Sequence, residues 1–91
     1  QSASWTLKER VALDGDAIAT RDWEGYPILR FSEVPEVEVA VIARPEAPPL
    51  GVGEAATGPT AAAIGNAVRA ALGVRVRALP ITRDAIVAAM G

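Results

Sequence analysis

Glu54 stands out for what surrounds it. In the run Gly51-Val52-Gly53-Glu54-Ala55-Ala56-Thr57-Gly58-Pro59 a single carboxylate sits between two residues without Cβ and the start of an Ala-rich stretch. Such a segment can take φ > 0 and bring its backbone into contact with a flat or bulky ligand, and Glu54 then offers a proton acceptor beside it. From Pro59 the chain reads as helix, with proline in the first turn, where the missing N–H costs nothing and the fixed φ helps initiation. Glu54 therefore lies near a helix N-terminus, whose partial positive charge favours a carboxylate. The chemistry this suggests is general-base catalysis. The plainer reading of the same residues is an ordinary turn into a helix.

Other chemistries can be tested against the sequence, and most fail. A dinucleotide fingerprint needs G-x-G-x-x-G, and here the third glycine arrives too late, at Gly58. Counted from Gly53 the spacing fits a phosphate loop, with Thr60 in the metal-side position, but Pro59 stands where the lysine must be and the terminal phosphates would have no cationic partner. Glu36 and Glu38 lie two apart, but no third oxygen ligand or ordered turn is near, so they read as a solvated strand face. The chain has no His and no Cys, which removes the usual zinc and iron ligands and His-based triads. No metal-ligating residue is expected, and any cofactor must be held by other means or by another segment. Charges of both signs are intermixed, with no basic stripe for nucleic acid. No apolar run reaches membrane-spanning length.

The elements that must position Glu54 follow from periodicity and turn residues. Residues 1 to about 8 suit the tail of a helix. Asp14-Gly15 predicts a hairpin with a two-residue type I′ turn, Val11 opposite Ile18. Residues 21 to 35 lack periodicity and contain Gly25, Pro27 and Pro35, so they predict a long connection carrying Trp23, Tyr26 and Phe31. These aromatics suit the packing of a joint better than a substrate pocket. Glu36 to Ile42 alternates as a strand should, with Val37, Val39 and Val41 on one face. The proline-rich Arg44 to Pro49 predicts polyproline geometry delivering the Gly51 to Glu54 segment. A helix is expected from Pro59 to Leu72, with Ala61, Ile64, Ala67, Val68, Ala71 and Leu72 on one face and Gly73 as its stop. The small residues along it, Gly65 included, would allow close approach to a neighbour. Val74 to Arg77 predicts a short strand, and Thr82 caps a last helix, Arg83 to Met90, with Asp84 in its first turn. Mixed elements without regular βαβ alternation make this an α+β piece: a hairpin, one or two further strands and a long Ala-rich helix.

In 91 residues there is room for one small domain or a piece of a larger one. The apolar content is carried by Ala and Val, with four aromatics, so the apolar volume per residue is low. Gln1-Ser2-Ala3-Ser4-Trp5 reads as entry in mid-element, and residues 1–91 are expected to be a single fragment.

The run Gly51-Val52-Gly53-Glu54 and its small-residue helix are preceded by Asp22-Trp23-Glu24-Gly25-Tyr26-Pro27-Ile28-Leu29-Arg30 and by Val34-Pro35-Glu36-Val37-Glu38-Val39. In that order they resemble the C-terminal part of the molybdopterin-binding large subunit of the xanthine dehydrogenase and aldehyde oxidase family. The resemblance extends from Ser4-Trp5-Thr6-Leu7-Lys8-Glu9 to Leu79-Pro80-Ile81-Thr82, and is strongest to the isoquinoline 1-oxidoreductase large (beta) chain. Relatives often carry Pro after the catalytic Glu, whereas Ala55 and Ala56 follow here, as in the isoquinoline branch.

The resemblance implies a bacterial molybdenum hydroxylase that oxidises an N-heterocycle or an aldehyde with oxygen derived from water. Its cofactor would be molybdenum-molybdopterin, in bacteria commonly the cytosine dinucleotide form. Glu54 falls on the family's general base, and Gly51, Val52 and Gly53 on backbone that touches the cofactor. The partners implied are the remainder of the large subunit and a small [2Fe-2S] subunit. The segments that hold most of the cofactor lie upstream in this family, so the 91 residues alone are expected to be inactive. The competing reading is a non-catalytic α+β interaction domain in which Gly51 to Glu54 is only a turn.

With its thin apolar volume, the 91-residue chain taken alone is expected to bind no molybdenum and to show marginal stability or self-association. Melting followed against protein concentration checks this; a monomer with a high, concentration-independent Tm would overturn it.

Overall fold

Three helices and one small hairpin account for the regular structure of the computed structural model, which describes residues 1 to 91. Helix α1 spans Ser2–Leu7, strands β1 and β2 span Leu13–Asp14 and Ala17–Ile18, a 3-10 turn covers Phe31–Glu33, α2 spans Thr57–Leu72 and α3 spans Arg83–Met90. The hairpin forms, with a different register from the one predicted. Leu13 pairs with Ile18 and Asp14 with Ala17, so the two-residue loop is Gly15-Asp16 rather than Asp14-Gly15. Only Gly15 takes a positive φ, +57°. A type I′ turn needs φ > 0 at both central residues, a type II′ turn only at the first, where glycine is preferred. With Gly15 in that first position and Asp16 outside the left-handed region, the II′ pattern is the one this loop satisfies.

Helix α2 begins two residues before Pro59, which keeps proline in the first turn as expected. The helix stops at Gly73, whose left-handed φ of +75° lets its N–H reach the Arg69 carbonyl. No side chain caps its start; Ala56 precedes the first turn, and the Thr60 hydroxyl donates back to the Ala56 carbonyl at 2.6 Å. At α3 the expected cap is present. The Thr82 hydroxyl oxygen accepts from the Ala85 N–H at 3.1 Å, and Asp84 lies in the first turn.

The interior is small and is made where α1, α2 and the segment before α3 meet. Thr6 and Ile81 are buried, Ser4 and Gly65 with them. The Ile81 N–H donates to the Thr6 carbonyl at 2.6 Å. Along α2 the inward stripe is Ala61, Ile64, Gly65 and Val68, while Ala67, Ala71 and Leu72 of the predicted face are exposed. Gly65 faces Ile81, and a Cβ there would make ordinary contact with Ile81 Cδ1 at 3.9 Å. Ser4 ties the long loop to α1 by accepting the Leu29 N–H at 3.0 Å. The Lys8 ammonium donates to both oxygens of Glu33 at 2.7 Å, and Glu33 also accepts the Arg30 N–H at 2.8 Å.

Two predicted strands carry no ladder. Residues 36 to 43 neither donate nor accept a backbone hydrogen bond within the chain, and residues 74 to 77 are likewise without a strand partner. Alternation selects side-chain faces, but a strand exists only when a neighbour completes its hydrogen bonds. The proline-rich segment also departs from polyproline geometry, because Arg44 to Ala47 closes as a turn, with the Ala47 N–H on the Arg44 carbonyl at 3.0 Å. The chain is accordingly spread out. Its radius of gyration is 16.7 Å, against about 12 Å for a compact domain of this length.

Gly65 has no positive φ and an added methyl meets only ordinary contact, so Gly65→Ala is expected to stabilise by about 0.5–1 kcal/mol through helix propensity. Gly65→Leu should destabilise by driving α2 off Ile81. Chemical denaturation of the two variants checks the pair. The hydrogen bonds from Lys8 and from the Arg30 N–H hold the Glu33 carboxyl below its ordinary value of 4.5. A depressed carboxylate stabilises the fold above its unfolded pKa, and that contribution is lost as pH falls through the folded value. The Arg30 amide resonance should therefore titrate below pH 4.5 with Glu33, and Lys8→Met should move that midpoint back up.

Candidate functional site

Residues 51 to 56 follow the Arg44 to Ala47 turn and lead directly into α2. The Ala55 N–H donates to the Val52 carbonyl at 3.2 Å and the Thr57 N–H to the Glu54 carbonyl at 3.1 Å. These two bonds place Glu54 just ahead of the first helical turn, as the sequence predicts. They also engage its carbonyl in the helix start while leaving its side chain free. The Glu54 carboxylate makes no hydrogen bond or ion pair in the chain and is exposed.

Neither Gly51 nor Gly53 has a positive φ, contrary to one use the sequence suggested for them. A Cβ built at either position would meet nothing within 4 Å. Gly51, Val52 and Gly53 thus present bare backbone and one exposed side chain to open volume.

That volume is bounded on its other side by α1. A groove of about 560 Å³ is lined by Gly53, Glu54, Ala56, Thr57 and Thr60 from the turn and α2, and by Gln1 to Ala3 and Trp5 from the N-terminal segment. The α1 wall was not legible in the sequence. Trp5 and Glu54 are far apart in the chain, and only the packing of α1 on α2 brings them to one groove. A second groove, about 640 Å³, shares Gln1, Ala3 and Trp5 with the first and continues along Glu9, Trp23, Tyr26, Ile28, Val34 and Val37.

The aromatics of the long loop divide between these surfaces and solvent. Trp23 and Tyr26 stand edge to face with centroids 6.5 Å apart, and the Tyr26 hydroxyl donates to Glu9 at 2.9 Å. That hydrogen bond is the main reason the phenol's pKa lies above its ordinary value, with desolvation and the Glu9 charge acting in the same direction. Gly25 closes the local turn by donating its N–H to Asp22 at 2.8 Å. Phe31 is fully exposed, and Trp23 nearly so, and neither fills an interior of this chain.

No group of three or more Asp or Glu side chains is placed to hold a metal ion, and Glu36 and Glu38 are both exposed. The donor set of the Glu54 groove is one free carboxylate, hydroxyls and bare glycine backbone. Such a set fits close contact with a bulky group and proton transfer beside it, and supplies no metal ligands of its own. No helix is long and apolar enough to cross a membrane.

No family model and no solved structure matches the chain. Among curated proteins it is 47% identical over all 91 residues to one of the subunits of the nicotinate dehydrogenase of Pseudomonas putida, and covers 8% of that protein. It is 33% identical over 78 residues to the membrane-bound aldehyde dehydrogenase [pyrroloquinoline-quinone] of Gluconacetobacter polyoxogenes, covering 10% of it. The chain thus spans a small part of the relatives it matches, and its similarity lies with dehydrogenases, that is, with oxidoreductases.

Proposed function

We propose that this chain works as part of a molybdopterin-binding large subunit of the xanthine dehydrogenase and aldehyde oxidase family, on the isoquinoline 1-oxidoreductase side of it, and that it supplies Glu54 as the general base. The observation that carries the reading is the state of Glu54. It is a carboxylate with no partner in the chain, on a groove edged by bare glycine backbone at the start of α2. Two substrate classes are consistent with the relatives' names, an N-heterocycle from nicotinate dehydrogenase and an aldehyde from the second relative.

In this reading Gly51, Val52 and Gly53 lie against the molybdopterin cofactor, in the cytosine dinucleotide form, and the remainder of the large subunit holds it. When bound, the cofactor would supply the two-electron oxidising capacity, and the partner would be a small [2Fe-2S] subunit. Glu54 accepts the proton released as water-derived oxygen is added to the electron-poor carbon of the substrate. A carboxylate suits the task because its oxygens are hydrogen-bond acceptors on a short side chain, and the turn through Ala55 and Thr57 fixes where that chain leaves the backbone. The α1 wall, with Trp5, forms the opposite side of the groove.

Glu54→Gln in the full-length enzyme is expected to leave molybdenum content near normal and to cut turnover by about 10²-fold or more, the scale of a lost general base. Glu36→Gln and Glu38→Gln should be nearly silent. Gly53→Val should lower cofactor occupancy as well as rate, because its side chain would enter the open volume beside the backbone. Retention of most of the rate in Glu54→Gln, with cofactor content confirmed in reductive half-reaction kinetics, would refute the assignment and leave Gly51 to Glu54 as a turn.

A further inference from the structure

Trp5, Trp23 and Tyr26, three of the four aromatic residues in the chain, line one groove of about 640 Å³ together with the Glu9 carboxylate. They come from two segments, and hydrogen bonds fix both. Trp5 and Glu9 belong to α1 and the residues just after it, where the Glu9 N–H donates to the Ser4 carbonyl at 3.2 Å. Trp23 and Tyr26 belong to the loop, which the Gly25 N–H closes on Asp22 at 2.8 Å and the Leu29 N–H ties to Ser4 at 3.0 Å. The Tyr26 hydroxyl, donating to Glu9 at 2.9 Å, joins the two segments. Trp23 and Tyr26 meet at an interplanar angle of 68°, so they stand as adjoining walls rather than as a stack.

The charge in this groove is unmatched. Glu9 is half-buried, its hydrogen bond from Tyr26 comes from a neutral donor and engages one oxygen, and it forms no ion pair. No lysine or arginine side chain lines the groove. We propose that the groove binds a free organic cation of the quaternary ammonium class, with its methyl groups against Trp5, Trp23 and Tyr26 and its charge near Glu9. Aromatic faces attract a cation through the ring quadrupole, and a quaternary ammonium suits them because its charge sits inside an apolar shell that sheds water readily. A metal ion does not fit, since one carboxylate among aromatic rings offers too few oxygen ligands. A neutral apolar ligand would take water from Glu9 and return no favourable contact. The volume is that of a small-molecule site. Glu54 lines the neighbouring groove, and this site does not depend on the reaction proposed for it.

Calorimetric titration of the full-length protein with choline, beside the neutral isostere in which carbon replaces nitrogen, tests this. Choline is expected to bind saturably and about 5-fold or more tightly than the isostere. Trp23→Ala and Glu9→Gln should each weaken choline by about 5-fold or more, while Trp23→Tyr, which keeps an aromatic face, retains most of the affinity. Trp23 is 78% exposed, and Gln at position 9 can still accept from Tyr26, so the variants should keep the Tm of the unsubstituted protein. Equal binding of the isostere would overturn the proposal, because the groove would then select for apolar surface and not for charge. So would the absence of saturable choline binding, or binding that neither Trp23→Ala nor Glu9→Gln weakens.

Discussion

The Ile81 N–H to Thr6 carbonyl hydrogen bond, 2.6 Å long and closed over Gly65, is the contact on which the arrangement depends. It joins the first helix to the segment that leads into the last, and Gly65 of α2 lies buried against Ile81. The direct packing of α1 on α2 gives the groove holding Glu54 its second wall. A junction of this kind is polar at its centre, since Thr6 and Ser4 are buried with their hydroxyls bonded to the Ser2 carbonyl and the Leu29 N–H. Satisfied polar groups are tolerated there, whereas an unpaired one would cost about 1–3 kcal/mol.

Around this junction the chain turns its apolar residues outward. Val37, Val39, Val41, Ile42, Leu50 and Val52 are all strongly exposed, and they lie on the segment that leads from the aromatic loop to Glu54. The small core and the open segment are two sides of one fact: few large side chains are available to cover each other within 91 residues. The similarity to short stretches of much longer dehydrogenases agrees with that balance.

Electrostatics in the chain follow the same division. The polar and charged groups that find partners, Lys8 with Glu33 and Tyr26 with Glu9, fasten the loop of residues 21 to 35 to the end of α1. Glu54 finds none. Its neighbours along the groove are hydroxyls, an amide and an indole rather than cationic side chains.

Local signals determined the local structure of this protein. Pro59 lies in the first turn of α2 and Gly73 ends it, Thr82 caps α3, and glycine at position 15 turns the hairpin, because each acts on backbone angles or donors within a few residues. The same local logic put Glu54 at the mouth of a helix. The hairpin register escaped it, since Asp14-Gly15 and Gly15-Asp16 are both acceptable turns and only the pairing of Leu13 with Ile18 chooses between them. The strands at 36 to 42 and 74 to 77 escaped it for a stronger reason: alternation specifies faces, and a ladder needs a second chain segment that no local pattern supplies. Only tertiary structure decided that Trp5, Thr57 and Thr60 share a groove with Glu54, because that neighbourhood is made by two helices distant in sequence packing together.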